Sequence, residues 1–187
     1  MEQMLTNYRP VSYSQITLTE LMVPAYANFG GKIHGGILLS LMDKVAYACA
    51  HKHAGHYCVT VAVNRVEFLE PVEVGEMVSM LASVNYVGRT SMVVGIKVIA
   101  ENFKTSTVKH TNSSYFTMVA KDEDGQPTPV PGLILENAVQ ARRFLKTLKL
   151  KELRDRLKND LEAAEANLDL EVHREWFARE RCQLRLA

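Results

Sequence analysis

Sixteen residues, "NFGGKIHGGILLSLMD" from Asn28 to Asp43, hold an amide, an imidazole, four glycines and a carboxylate close together. Gly35 and Gly36 directly precede a long apolar run, so they stand where a helix begins. A helix N-terminus presents unpaired backbone N–H groups and a partial positive charge. Glycine there has no Cβ to keep a ligand away from the backbone. That arrangement suits a developing oxyanion, such as the tetrahedral intermediate of acyl transfer, where losing one donor typically costs about 10²–10³ in rate. A tight loop uses glycine in the same way, and spacing alone does not separate the two uses. Asp43, about two turns into the helix, suits a general base for water or a nucleophile. It also falls on a stripe with Ser40, Lys44, Tyr47 and His51 that reads as a solvated helix face. His34 suits either a base assisted by Asp43 or an imidazole that holds the loop. Asn28 offers an amide for a water or a carbonyl oxygen, and fits a turn equally well. His51, His53 and His56 have no cysteine or carboxylate framing them at a metal-ligand spacing, so no metal site is expected.

To position these groups the chain needs a helix over Gly36–Ala54. Leu38, Leu41, Met42, Val45, Ala46 and Cys49 recur at helical spacing there, and Gly55 follows as a C-terminal cap. Upstream, "SYSQITLTELM" over 12–22 alternates as a strand. Downstream the apolar period changes to two. "CVTVAVNRVEFLEPV", "EMVSMLASVNYV", "TSMVVGIKVIAEN" and "TVKHTNSSYFTMVAKDEDG" read as four long strands, separated by turns at Pro71, Gly75 and Gly88 and ended by Asp-Gly. No crossover helices separate them, so the fold class is α+β with an antiparallel sheet curling around one helix.

"QPTPVPG" closes this unit at Gly132. The chain therefore divides into a domain over 1–132 and an extension over 133–187. In the extension Leu150, Leu153, Leu157, Leu161, Ala164 and Leu168 recur at spacings of three and four, an amphipathic helical pattern suited to contacts within an oligomer.

Composition limits the alternatives. The chain has 187 residues, 47% hydrophobic and 23% charged, with 22 basic against 21 acidic side chains. That balance gives no electrostatic footprint for nucleic acid and no polybasic patch for a membrane. Cys49, Cys58 and Cys182 make an odd count without metal-like spacing and read as free thiols. The polar "MEQMLTNYRP" is no signal peptide, and the longest apolar run is too short to span a bilayer, so a cytoplasmic protein is expected.

Four blocks, in order, are "ANFGGKIHGGILLSLMDKVAYACA", "VTVAVNRVEFLEPVEVGE", "VGRTSMVVGIKVIAEN" and "TMVAKDEDGQPTPVP". Together they resemble the hot-dog-fold acyl-CoA thioesterases, in particular the cytosolic brain-type acyl-CoA hydrolases and their bacterial relatives, over roughly residues 13–132. The resemblance implies a curved antiparallel sheet wrapped around one long central helix, and hydrolysis of acyl-CoA to fatty acid and coenzyme A without a cofactor. It implies a homodimer, assembled further into a trimer of dimers, with sites at the dimer seam. Matched by position, Asp43 becomes the catalytic carboxylate and Asn28 its polar counterpart from the opposite chain. Backbone N–H groups near Gly35 and Gly36 become the oxyanion site. The same resemblance places Arg89, Thr90 and Ser91 beside the coenzyme A chain, with Arg89 suited to a phosphate and Lys121 a further candidate. Phe29 or Tyr26 would border the acyl pocket. The pairing of His34 with Asp43 also resembles hydratases and dehydratases on this fold, and the extra tail leaves room for a non-catalytic acyl-CoA-binding regulator. The Asn28 amide and the glycine pair beside His34 match the thioesterase pattern.

Overall fold

The computed structural model describes residues 7–170 and 172–185; the start of the polar N-terminal segment, residues 1–6, lies outside them. The chain forms two compact units, one reaching to Thr147 and one from Leu148 onward.

The first unit is built on helix α2, Gly35–Ala54, for which short elements β1 (Tyr8–Pro10), α1 (Val11–Ser14) and β2 (Ile16–Leu21) prepare the approach. Its apolar face buries Leu38, Leu41, Met42, Val45, Ala46, Cys49 and Ala50, the positions at helical spacing. Gly55 ends it in the left-handed region at φ 76°, its N–H donating to the His51 carbonyl. Strands β3 (Tyr57–Phe68), β4 (Met77–Val87), β5 (Ser91–Asn102) and β6 (Thr107–Lys121) follow. With β2 they make a five-stranded sheet in the order β2-β4-β5-β6-β3. Every neighbouring pair in it is antiparallel. Alternate residues Val78, Met80, Ala82 and Val84 of β4, and Met92, Val94, Ile96 and Val98 of β5, turn inward onto α2 and form the core with Phe116 and Met118. β3 is one edge of the sheet. Tyr57, Val61, Val63 and Phe68 along it stay exposed.

Two details depart from the alternating pattern expected at the N-terminus. Residues 12–14 belong to a helical turn, not a strand, because Val11 and Ser14 both turn inward. Ser14 Oγ donates to His53 Nδ1 across 3.2 Å. In addition β7 (Gly132–Ile134), just past the proline-rich segment, pairs in parallel with β1. His53 ties these pieces together: it is fully buried, and its Nε2–H donates to the Pro131 carbonyl at 3.1 Å. Arg9 caps the end of α2, with Nη1 donating to the His53 carbonyl at 2.6 Å and the Lys52 carbonyl at 3.1 Å.

Helix α3, Ala138–Glu165, begins in the first unit, where Phe144 packs on Tyr86 with ring centroids 5.4 Å apart. In the second unit Leu153, Leu157, Leu161 and Leu168 are exposed, and the short helix α4, Arg174–Arg179, follows. Among the described residues no helix is long and apolar enough to cross a membrane.

Candidate active site

The site starts at the N-terminus of α2. His34 is the N-cap residue, with extended backbone at φ −64° and ψ 128°, and its Nδ1 accepts from the Gly36 N–H at 2.9 Å. A ring that accepts at Nδ1 carries its proton on Nε2. Of the two glycine N–H groups expected to face an oxyanion, Gly36 is therefore engaged by the cap. Gly35 N–H has no partner among the described residues. The Phe68 ring stands 3.3 Å from where a Gly35 Cβ would project, so the absent side chain keeps the helix tip open beside an aromatic wall.

The glycine loop ahead of the helix is closed by its own amides. Asn28 N–H donates to the Lys32 carbonyl at 2.7 Å, and Gly31 N–H to the Asn28 carbonyl at 3.0 Å. The Asn28 side chain takes part through one atom only: Oδ1 accepts from Gly30 N–H at 2.9 Å and Lys32 N–H at 3.2 Å. Its exposed amide keeps Nδ2 as a donor. Phe29 projects fully into solvent at the loop tip, while Tyr26 is half-buried with its hydroxyl donating to Glu20 Oε1 at 3.0 Å.

Asp43 lies on the exposed stripe of α2 with Ser40, Lys44, Tyr47 and His51. It is not idle there. Thr60 Oγ1, on β3, donates to Asp43 Oδ1 at 2.7 Å. Immediately after Thr60 the pairing of β3 with β6 slips by one residue. A bulge of this kind re-aims side chains and is common beside active sites. Nothing in the sequence marks Thr60, because a threonine in an alternating β-branched strand is what any strand would contain. Asn28 and Asp43 of one chain make no hydrogen bond to each other among the described residues.

Arg89, Thr90, Ser91 and Lys121 come together at one end of the sheet. Val130 N–H donates to the Arg89 carbonyl and Ala120 N–H to the Thr90 carbonyl, both at 3.0 Å. Ser91 pairs with Val119, which pairs in turn with Val59 on β3. Thr60 is thus one residue further along and two strands away, about 10 Å at ordinary strand spacing. Among the described residues no three His, Cys, Asp or Glu side chains cluster as metal ligands. His51 Nδ1 instead donates to the His56 carbonyl at 2.8 Å, and His53 is buried in the contacts given above.

Comparison with known proteins gives a consistent picture. Residues 30–107 match the thioesterase superfamily. VdlD from Helicobacter pylori is 48% identical over 143 residues, which cover 76% of this chain and 82% of that protein. A hexameric acyl-CoA thioesterase, solved without ligand, superposes with a TM-score of 0.79 at 34% identity, covering 81% of this chain and 97% of its own. An acyl-CoA hydrolase from Staphylococcus aureus, solved with butyryl coenzyme A and coenzyme A, superposes with a TM-score of 0.78 at 27% identity, covering 86% and 98%. That enzyme has also been solved with alanine at its Thr60, Asp43 and Asn28. This chain carries the same three residue types at the same three numbers.

Proposed function

The chain belongs to the thioesterase superfamily and is a hot-dog-fold acyl-CoA thioester hydrolase, and we propose that it works through Asp43 and Thr60 at sites shared between two copies. The observation that carries the assignment is the 2.7 Å hydrogen bond from Thr60 to Asp43 on the open face of α2. Thr60 occupies Oδ1 and turns the carboxylate so that Oδ2 can take a proton. Gly35 N–H of the chain opposite Asp43, with the positive end of α2 behind it, is assigned to the thioester oxygen.

Water then adds to the carbonyl carbon as Asp43 accepts its proton. The tetrahedral oxyanion leans on the helix tip. Collapse breaks the C–S bond, and the proton passes from Asp43 to the departing sulfur. Asn28 is assigned to the site of the neighbouring chain. Its Oδ1 is spent on the loop, so it acts as a donor, through Nδ2, to the carbonyl or to the water oxygen. Arg89, Thr90, Ser91 and Lys121 are assigned to the coenzyme A chain, with Arg89 on phosphate. No cofactor is required for these steps.

Two features support a homodimer. The β3 edge is apolar and exposed, and such an edge calls for a partner. Asn28 also makes no hydrogen bond to its own Asp43 among the described residues. A trimer of dimers is supported by the hexameric relative. Catalysis is assigned to residues 1–132, and the segment 133–187 to assembly. The unpaired Cys49, Cys58 and Cys182 support a cytoplasmic setting.

A free-thiol assay on acyl-CoAs from acetyl to palmitoyl tests the proposal. Asp43→Asn should lower turnover by about 10²–10⁴ while leaving folding and coenzyme A affinity intact. Wild-type turnover in that variant would remove Asp43 from the mechanism.

A further inference from the structure

The opposite face of the sheet carries a cavity of about 530 Å³ bordered by Thr17, Leu81, Ser113 and Tyr115 and by the first turns of α3. Among the described residues the charged side chains around it have one sign: Lys97, Arg143 and Lys146 line it, and no Asp or Glu does. Lys146 Nζ lies 5.6 Å from the centre of the Tyr115 ring.

The floor is more telling than the rim. The register of β4 against β5 slips between Val84 and Tyr86, which makes Asn85 the extra residue of a bulge. Asn85 is 7% exposed, and its Oδ1 accepts from the Ser83 hydroxyl, itself 6% exposed, at 2.9 Å. Its Nδ2 sits 2.0 Å from where a Cβ on Gly95 would be, so only glycine across the ladder leaves room for the amide. With Oδ1 held by Ser83, Nδ2 has no acceptor among the described residues, and the cavity is where one can stand.

We propose that this cavity binds a small phosphate-bearing anion. The Asn85 amide donor, a guanidinium, two ammonium groups and the Ser113 hydroxyl line one space, and a phosphate has enough oxygens to accept from several of them at once. The occupant is distinct from the thioester undergoing hydrolysis. Phe116 and Met118 of β6 turn inward to the core beside α2, whereas Ser113 and Tyr115 of the same strand border the cavity.

Calorimetric titration of the full chain with inorganic pyrophosphate at low salt tests this. Saturable binding at one site per chain is expected. Asn85→Asp exchanges the donor for a carboxylate at constant size and should weaken binding at least ten-fold. The paired Arg143→Gln, Lys146→Gln variant changes two exposed side chains and should do the same. Succinate should bind at least ten-fold more weakly than pyrophosphate. The assignment is overturned by absent pyrophosphate binding, by affinity unchanged in both variants, or by equal affinity for succinate. It is also overturned if the paired variant lowers the oligomer mass while leaving pyrophosphate affinity unchanged, because the cations would then serve a carboxylate of another copy.

Discussion

In the proposed mechanism Thr60 and Asp43 divide one task between a hydroxyl and a carboxylate. The threonine does not react; it fixes which carboxylate oxygen is free. Removing that hydrogen bond to a charged group should lower kcat by about ten- to a hundred-fold with little change in KM. Steady-state kinetics of Thr60→Ala will show this, and Thr60→Ser, which keeps the hydroxyl, should recover most of the loss. Equal defects in both variants would mean that the methyl group and not the hydroxyl matters. At this scale the sequence disclosed the residue types but only half of their arrangement. Asp43, Asn28 and the glycine pair stand out as candidates because they sit close together in the chain, and their spacing places them on a helix and its entry loop, as the structure has them. Thr60 lies on the next element, and only the folded chain reveals that its hydroxyl reaches Asp43. His34 was ambiguous on type alone, and the 2.9 Å bond from Gly36 N–H makes it a cap.

Among the elements, α2 and the four long strands could be read because each runs for many residues with one unbroken period. The short pieces β1, α1 and β7 could not, since three or four residues carry no period and their positions come from contacts. Those contacts converge on His53, at the far end of α2 from the glycine loop. Burial pushes its imidazole below the ordinary value of 6.5, and the charge of Arg9 adds to the effect. The unfolded chain therefore takes up a proton at a higher pH than the folded one. The stabilisation from neutral His53 is complete above about pH 6.5 and is lost as the pH falls from there toward the folded-state value. Thermal melts between pH 8 and 5 should show Tm falling on the acid side. In His53→Asn that slope should be shallower, from a lower starting Tm. A wild-type Tm that stays level across this range would show that His53 is not the acid-sensitive joint.

For the whole molecule, the question is how many chains make one site. Asp43 with its Thr60 stands on one chain, and the Nδ2 of Asn28 in the other is assigned to the same substrate. Inactive Asn28→Ala and Asp43→Asn chains, mixed and allowed to exchange subunits, should then regain about a quarter of wild-type turnover, because half of the dimers are mixed and each has one intact site. No recovery after exchange verified by mass spectrometry would confine each site to a single chain. The strand that carries Thr60 is also an edge of the sheet, and in the proposed dimer, with that edge covered, parting two copies would uncover Tyr57, Val61 and Val63 and dismantle the shared site in one event. Specific activity should therefore depend on protein concentration, holding constant in concentrated solution and falling on dilution as the dimers come apart. A solitary chain would carry every residue of the reaction and still leave its substrate whole.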